Sequence, residues 1–136
     1  MNAIYLRNSV RQYTDEPVDI RDIEKLMRAA MAAPSAVNQQ PWEFYIARDE
    51  TTRLALAASS PYGTPAKLAP CVIVACQRTE GLRAPQDAPY DMSASVENIL
   101  IEAANLGEKR RAKIRTLSGG QRQRVGIAQA LLGSPQ

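Results

Sequence analysis

Residues 33–47 read APSAVNQQPWEFYIA, and three kinds of chemistry follow one another in that stretch. Pro34 and Ser35 close a helical run, because a proline pushes the residue before it out of the helical region. Asn38, Gln39 and Gln40 make a polar turn whose side chains offer both donors and acceptors, suited to a heterocycle edge or a sugar-like chain. Pro41 and Trp42 then open WEFYIA, whose aromatic and β-branched residues predict a strand. A purely structural role serves this stretch as well, as a helix C-terminus followed by Trp42 as a core anchor.

Upstream, VDIRDIEKLMRAAMAAPS predicts a helix. Asp19 is placed to cap its start, and Ile20, Ile23, Leu26, Met27, Ala30 and Met31 fall on one stripe. The first segment, AIYLRNSVRQY, predicts a short amphipathic helix ending near TDEP. Downstream, DETTRLALAAS predicts a helix capped by Asp49, SSPYGTP a turn, and CVIVAC a strand buried on both faces. GLRAPQDAPY reads as a loop. DMSASVENILIEAANLG predicts a helix capped by Asp91 or Ser93, with Val96, Ile99, Leu100, Ala103 and Ala104 facing inward. Residues 42–47 and 71–76 are expected as neighbouring core strands.

The 136 residues suffice for one modest core, with an apolar fraction of 45% and a charged fraction of 23%. No apolar run approaches a membrane span, and the first residues lack the apolar core of a signal peptide. Cys71 and Cys76, five positions apart on a strand, point to opposite faces and cannot bridge. A reducing, cytoplasmic setting is therefore expected. The chain has no histidine, which excludes Ser-His and Cys-His nucleophile systems and His metal ligation, and no metal is expected. Charge is uneven. Residues 1–107 hold 10 Lys and Arg against 13 Asp and Glu, a net of −3. Residues 108–136 hold 7 against Glu108 alone, a net of +6. All the aromatics precede Gly107, so the basic tail has none interleaved and does not read as a nucleic-acid stacking platform. A solvated helical face is its plainest reading.

RNSVRQY places Arg7, Ser9 and Arg11 at alternating positions. Two guanidiniums and a hydroxyl brought together would receive a phosphate dianion well, since each Arg offers a fork of charge-assisted donors. The same three residues would also suit a solvated surface. Taken in order, R-x-S-x-R-x-Y, the helix, and A-P-S-A-x-N-x-Q-P-W-x-F resemble the nitroreductase family of FMN-dependent oxidoreductases. YDMSASVENILIEAANLG, with Asn98 and the Ala103–Ala104 pair before a glycine, is similar to that family's central helix. The resemblance covers residues 3–107, about the first half of a family domain. It implies that Arg7, Ser9 and Arg11 hold the FMN phosphate, ribityl chain and pyrimidine edge, and that Pro34, Ser35 and Asn38 line the flavin. It also implies an intertwined homodimer in which NAD(P)H reduces the flavin and a small-molecule electron acceptor, such as a nitroaromatic or quinone, reoxidises it.

KIRTLSGGQRQRVGIAQALLGSP resembles the signature segment of ABC-type ATPases, with LSGGQ at 117–121. Ser118, Gly119, Gly120 and Gln121 would form a nucleotide-contacting loop at a helix start, with the dipole's positive end aimed at an anion. No G-x-x-x-x-G-K-[ST] string occurs in the chain, so ATP and an ABC partner enter only if this segment works beside another ATPase.

The expected fold is α+β, a truncated nitroreductase-like sandwich of helices around a small mixed sheet, with a C-terminal ABC-signature-like helix. The expected domains are 1–107, a partial FMN-binding unit, and 108–136, the signature-like loop and helix, joined as in a chimera. Three functions compete: an FMN-binding oxidoreductase, a phosphate-contacting signature module without its own ATPase activity, and a ligand-free, self-associating fusion.

Overall fold

The structure, a computed structural model, describes residues 3–116. Its elements are α1 (Ala3–Leu6), α2 (Ile20–Met31), β1 (Trp42–Ala47), α3 (Glu50–Ala58), α4 (Thr64–Leu68), β2 (Val72–Gln77) and α5 (Ala88–Thr116). Two 3₁₀ turns, Ala36–Asn38 and Pro85–Asp87, precede β1 and α5.

β1 and β2 are the expected neighbours. They pair antiparallel, in register from Trp42 opposite Gln77 to Ala47 opposite Val72. The expected mixed sheet is thus an antiparallel pair among the described residues. Because strand side chains alternate, one face carries Trp42 and Phe44 with Ile73 and Ala75. That face packs on α2 and α5: Leu26, Ala30, Ile73, Ile99, Ala103 and Leu106 form one cluster, and Ala33, Trp42, Ala75, Met92 and Val96 another. On the opposite face Ala47 and Val72 meet Ala66 and Ala69 under α3 and α4, with Tyr13 at the edge. Glu43 and Tyr45, further along that face, are exposed.

Local chemistry sets the helix ends. Asp19 caps α2 by accepting from the Arg21 backbone N–H at 2.9 Å, and Asp49 caps α3 by accepting from Thr52 N–H at 2.8 Å. Of the expected α2 stripe, Ile23, Leu26 and Ala30 are buried, whereas Ile20 and Met31 at its two ends stay about half exposed. α5 holds the last turn of α2: the Ser95 hydroxyl donates to the Ala30 carbonyl at 3.0 Å and the Asn98 amide to the Ala29 carbonyl at 3.1 Å. Each of these carbonyls also accepts a backbone N–H at the exit of α2, Ala29 from Ala32 and Ala30 from Ala33, so the two side chains add second bonds that tie the helix end to α5.

Three expectations need correction. The first helix stops at Leu6, and residues 7–19 are non-helical. Ser9, Val10 and Thr14 favour helix weakly, and Tyr13 gains more by packing on the Ala47–Val72 cluster. Residues 64–68, within and after the predicted turn, form α4, with Pro65 in its first turn. A proline costs nothing there, because that N–H has no helical partner anyway. For the same reason α5 starts at Ala88, with Pro89 next, rather than at Asp91. α5 then runs through Gly107 to Thr116.

The Asp19 cap makes a pH prediction. The Arg21 side chain and backbone N–H hold its carboxyl down, from 3.8 to about 2. A carboxyl depressed by folding contributes stability above its ordinary value, and this is lost as pH falls through the folded value. Unfolding measured between pH 4 and pH 2 should therefore weaken more steeply in the native chain than in Asp19→Asn, which has no charge there to lose. Parallel slopes would show the cap to be inert.

Candidate functional site

Arg7, Ser9 and Arg11 follow α1 directly. All three are exposed, and among the described residues their side chains make no hydrogen bond or ion pair. Only the Arg7 backbone is engaged, its N–H donating to the Ala3 carbonyl at 3.0 Å. A helix would have set Ser9 about 200° away from Arg7 and Arg11; the non-helical backbone removes that obstacle.

The second group lies on the turn from α2 to β1. Pro34 and Asn38 are exposed and Ser35 is partly buried. The Ser35 hydroxyl oxygen accepts from the Gln40 N–H at 3.0 Å, which leaves its own proton free to donate. The turn is bent hard. Val37, Asn38 and Gln40 have φ of 48°, 54° and 44°, in the left-handed region where a β-branched residue is an outlier. Such backbone persists only when its surroundings over-determine it.

Those surroundings come from far along the chain. Asp91 accepts from the Ala36 N–H at 3.0 Å through one oxygen and from the Gln39 amide at 2.8 Å through the other. Gln39 also closes a two-bond clasp on Ala84, donating to its carbonyl at 2.8 Å and accepting from its N–H at 3.0 Å. The Arg78 guanidinium donates to the carbonyls of Gln39 at 2.9 Å and Gln40 at 3.1 Å. Gln39 and Asp91 are both buried. Two sequence expectations change here. Asp91 is no helix cap but a tertiary acceptor one turn inside α5. Gln39 offers nothing to a ligand, since its amide is fully used by protein. Neither role was visible in the sequence: the only local signal was Asp91's place near a helix start, and that fits a cap equally well.

No hydrogen bond joins the Arg7–Arg11 segment to the turn among the described residues, so each group stands as a separate half of the expected site. Ser118, Gly119, Gly120 and Gln121, the signature-like residues, lie outside the described residues. Cys71 and Cys76 are free thiols, and burial pushes the Cys71 thiol up. Among the described residues no cluster of His, Cys, Asp and Glu is arranged to hold a metal, and no helix is long and apolar enough to cross a membrane.

The family model for the nitroreductase family matches residues 4–94. A protein of Archaeoglobus fulgidus with a provisional NADH dehydrogenase/NAD(P)H nitroreductase name is 34% identical, over 100% of this chain and 85% of its own length. Among solved structures, a provisional NADH oxidase of Clostridium acetobutylicum is similar with a TM-score of 0.75 and 38% identity, over 84% of this chain and 75% of that one. A provisional nitroreductase of Desulfovibrio desulfuricans, solved in complex with FMN, gives a TM-score of 0.73 at 32% identity, over 77% of this chain and 62% of that one. The family match over residues 4–94 and the likeness to the Archaeoglobus protein along the whole chain thus agree with the fold, and the chain belongs to the nitroreductase family.

Proposed function

We propose that this chain supplies the FMN-binding part of an NAD(P)H-dependent oxidoreductase of nitroreductase type. The observation that carries the reading is the donor set. Arg7, Ser9 and Arg11 are exposed with their side chains committed to nothing else among the described residues. Two forked cations and a hydroxyl fit a phosphate and its sugar-like chain. Pro34, Ser35 and Asn38 would stand beside the flavin, Ser35 with a free hydroxyl proton and Asn38 with an exposed amide. Bound there, FMN would accept hydride from NAD(P)H and pass electrons to a nitroaromatic, quinone or related acceptor. The protein's own part is to fix the anion, orient the turn and keep the polar groups of Gln39 and Asp91 away from the ligand. Tyr5, Val37, Tyr45 and Tyr90 are large and exposed, which supports a homodimer that covers some of them. Free cysteines support a reducing cytoplasm.

Fluorescence titration with FMN tests the reading. The native chain should bind and quench it, and the Arg7→Ala/Arg11→Ala double variant should bind at least about 100-fold more weakly, since each charged hydrogen bond contributes about 1.5–3 kcal/mol. A double variant that binds as the native chain does would remove these residues from the site.

A second reading concerns residues 108–136, as a separate ABC-signature-like unit in a chimeric chain. The string LSGGQ at 117–121 supports it, together with the change of charge after Gly107 and the end of the family match at residue 94. The Archaeoglobus similarity, which runs the length of the chain, weighs the other way. On this reading Ser118, Gly119, Gly120 and Gln121 contact ATP alongside an ABC partner, and the Arg7→Ala/Arg11→Ala variant leaves ATP binding unchanged.

A further inference from the structure

We infer that Asp91 is a positioning residue for the flavin-side turn: its two carboxylate oxygens hold Ala36 and Gln39 so that Ser35 and Asn38 are presented in one backbone conformation. The inference rests on the flavin reading above, whose own test changes Arg7 and Arg11 and leaves Asp91 untouched. The turn contains Val37, Asn38 and Gln40 at positive φ, a conformation that relaxes unless held. Asp91 grips the turn at two points, a backbone N–H at 3.0 Å and a buried side-chain amide at 2.8 Å, whereas Arg78 holds only carbonyls at its far end, those of Gln39 and Gln40. The second grip passes on through Gln39 to Ala84, at the entry to the 3₁₀ turn that leads into α5.

The geometry demands a carboxylate. Both partners of Asp91 are donors, so both of its oxygens must accept. An asparagine would set its NH₂ against either the Ala36 N–H or the Gln39 NH₂. Rotating Gln39 gives no relief, because its oxygen and nitrogen are already matched to the N–H and carbonyl of Ala84. Asp91→Asn is thus nearly isosteric and still leaves a donor facing a donor in a buried place. Ser95, one turn further along α5, is a fitting control. It is fully buried and bonds α2 at Ala30, and it makes no contact with the turn through a hydrogen bond.

Amide hydrogen exchange and FMN titration of the full chain test the inference together. In Asp91→Asn the amides of residues 36–40 should exchange at least about 10-fold faster, while those in the middle of α2 keep native rates. FMN affinity should fall about 10-fold or more, under conditions where circular dichroism shows the variant folded. Ser95→Ala should lower the melting temperature yet change FMN affinity less than 2-fold. Native exchange across residues 36–40 in Asp91→Asn would overturn the inference, as would an equal loss of FMN affinity in Ser95→Ala. Faster exchange in Asp91→Asn combined with no FMN binding by the native chain would overturn the flavin reading and leave the clamp standing as a purely conformational one.

Discussion

Trp42→Ala should lose about 3–5 kcal/mol of stability, the range for removing a large buried aromatic. Trp42 is 6% exposed and sits where β1 enters the sheet, packed with Ala33, Ala75, Met92 and Val96. The cluster joins the end of α2, both strands and α5, so the indole lies where these layers meet. Two of its neighbours, Ala33 and Ala75, are too small to swing into the space it would leave, so the cavity should persist. Its indole N–H also donates to the Met31 thioether sulfur at 3.2 Å, a weak bond that helps close the exit of α2. Since a domain's whole stability is typically about 5–15 kcal/mol, the variant should melt far below the native chain or fail to fold. Trp42→Phe retains an aromatic body and should lose clearly less. Urea unfolding followed by circular dichroism measures both, and a Trp42→Ala loss below about 1 kcal/mol would show that this cluster does not organise the core.

Gly63→Ala should cost about 1–3 kcal/mol or more, for a different reason. Gly63 has φ of −74°, a backbone any residue adopts, so conformational freedom is not what the position needs. Space is. A Cβ there would lie 2.3 Å from the Ala57 carbonyl oxygen and 2.9 Å from the carbonyl carbon and Cα of the same residue. All three are main-chain atoms of α3, so no side chain can turn aside, and α3 and α4 would have to separate. That would open the small cluster of Ala47, Ala66, Ala69 and Val72, whose buried members are only alanines and one valine. Gly81 is the reverse case, with φ of 70° and nothing within 4 Å of its Cβ direction. Thermal unfolding of Gly63→Ala should therefore show a lowered midpoint together with loosening of α3 and α4 by hydrogen exchange. An unchanged midpoint would mean that the two helices are not held at this distance.

What could be read from the sequence was what is settled over a few residues. Asp19 and Asp49 announce α2 and α3 because a cap is made within three positions of itself. The WEFYIA and CVIVAC strands follow from composition, and their pairing from the shortage of other partners. The resemblance carried by Arg7, Ser9, Arg11 and the 33–44 stretch led to the correct family. What the sequence hid was decided at long range or by exceptions to propensity. Asp91 meets Ala36 across 55 positions and Gln39 across 52, so its place near a helix start suggested a cap that it does not make. Val37, a β-branched residue, takes a left-handed conformation that its own chemistry opposes. Pro65 and Pro89 read as breakers, yet each sits in a first turn where proline is harmless.

The register of the sheet has one more consequence. Ala47 and Val72 are cross-strand partners, so the chain leaves β1 and returns to β2 at positions about 5 Å apart, having built α3 and α4 in between. Everything in residues 48–71 is therefore an excursion that begins and ends at one place. Doubling the length of such an excursion costs only about 0.6 kcal/mol in closure entropy. Relatives can thus lengthen, trim or replace this segment without moving a strand, so long as something still covers Ala47 and Val72. The α2–α5 side has no such latitude, because α2 and α5 are joined through the whole sheet and through the turn that Asp91 holds. The fold divides into a part open to evolutionary remodelling and a part that is not, and the candidate flavin turn lies in the second.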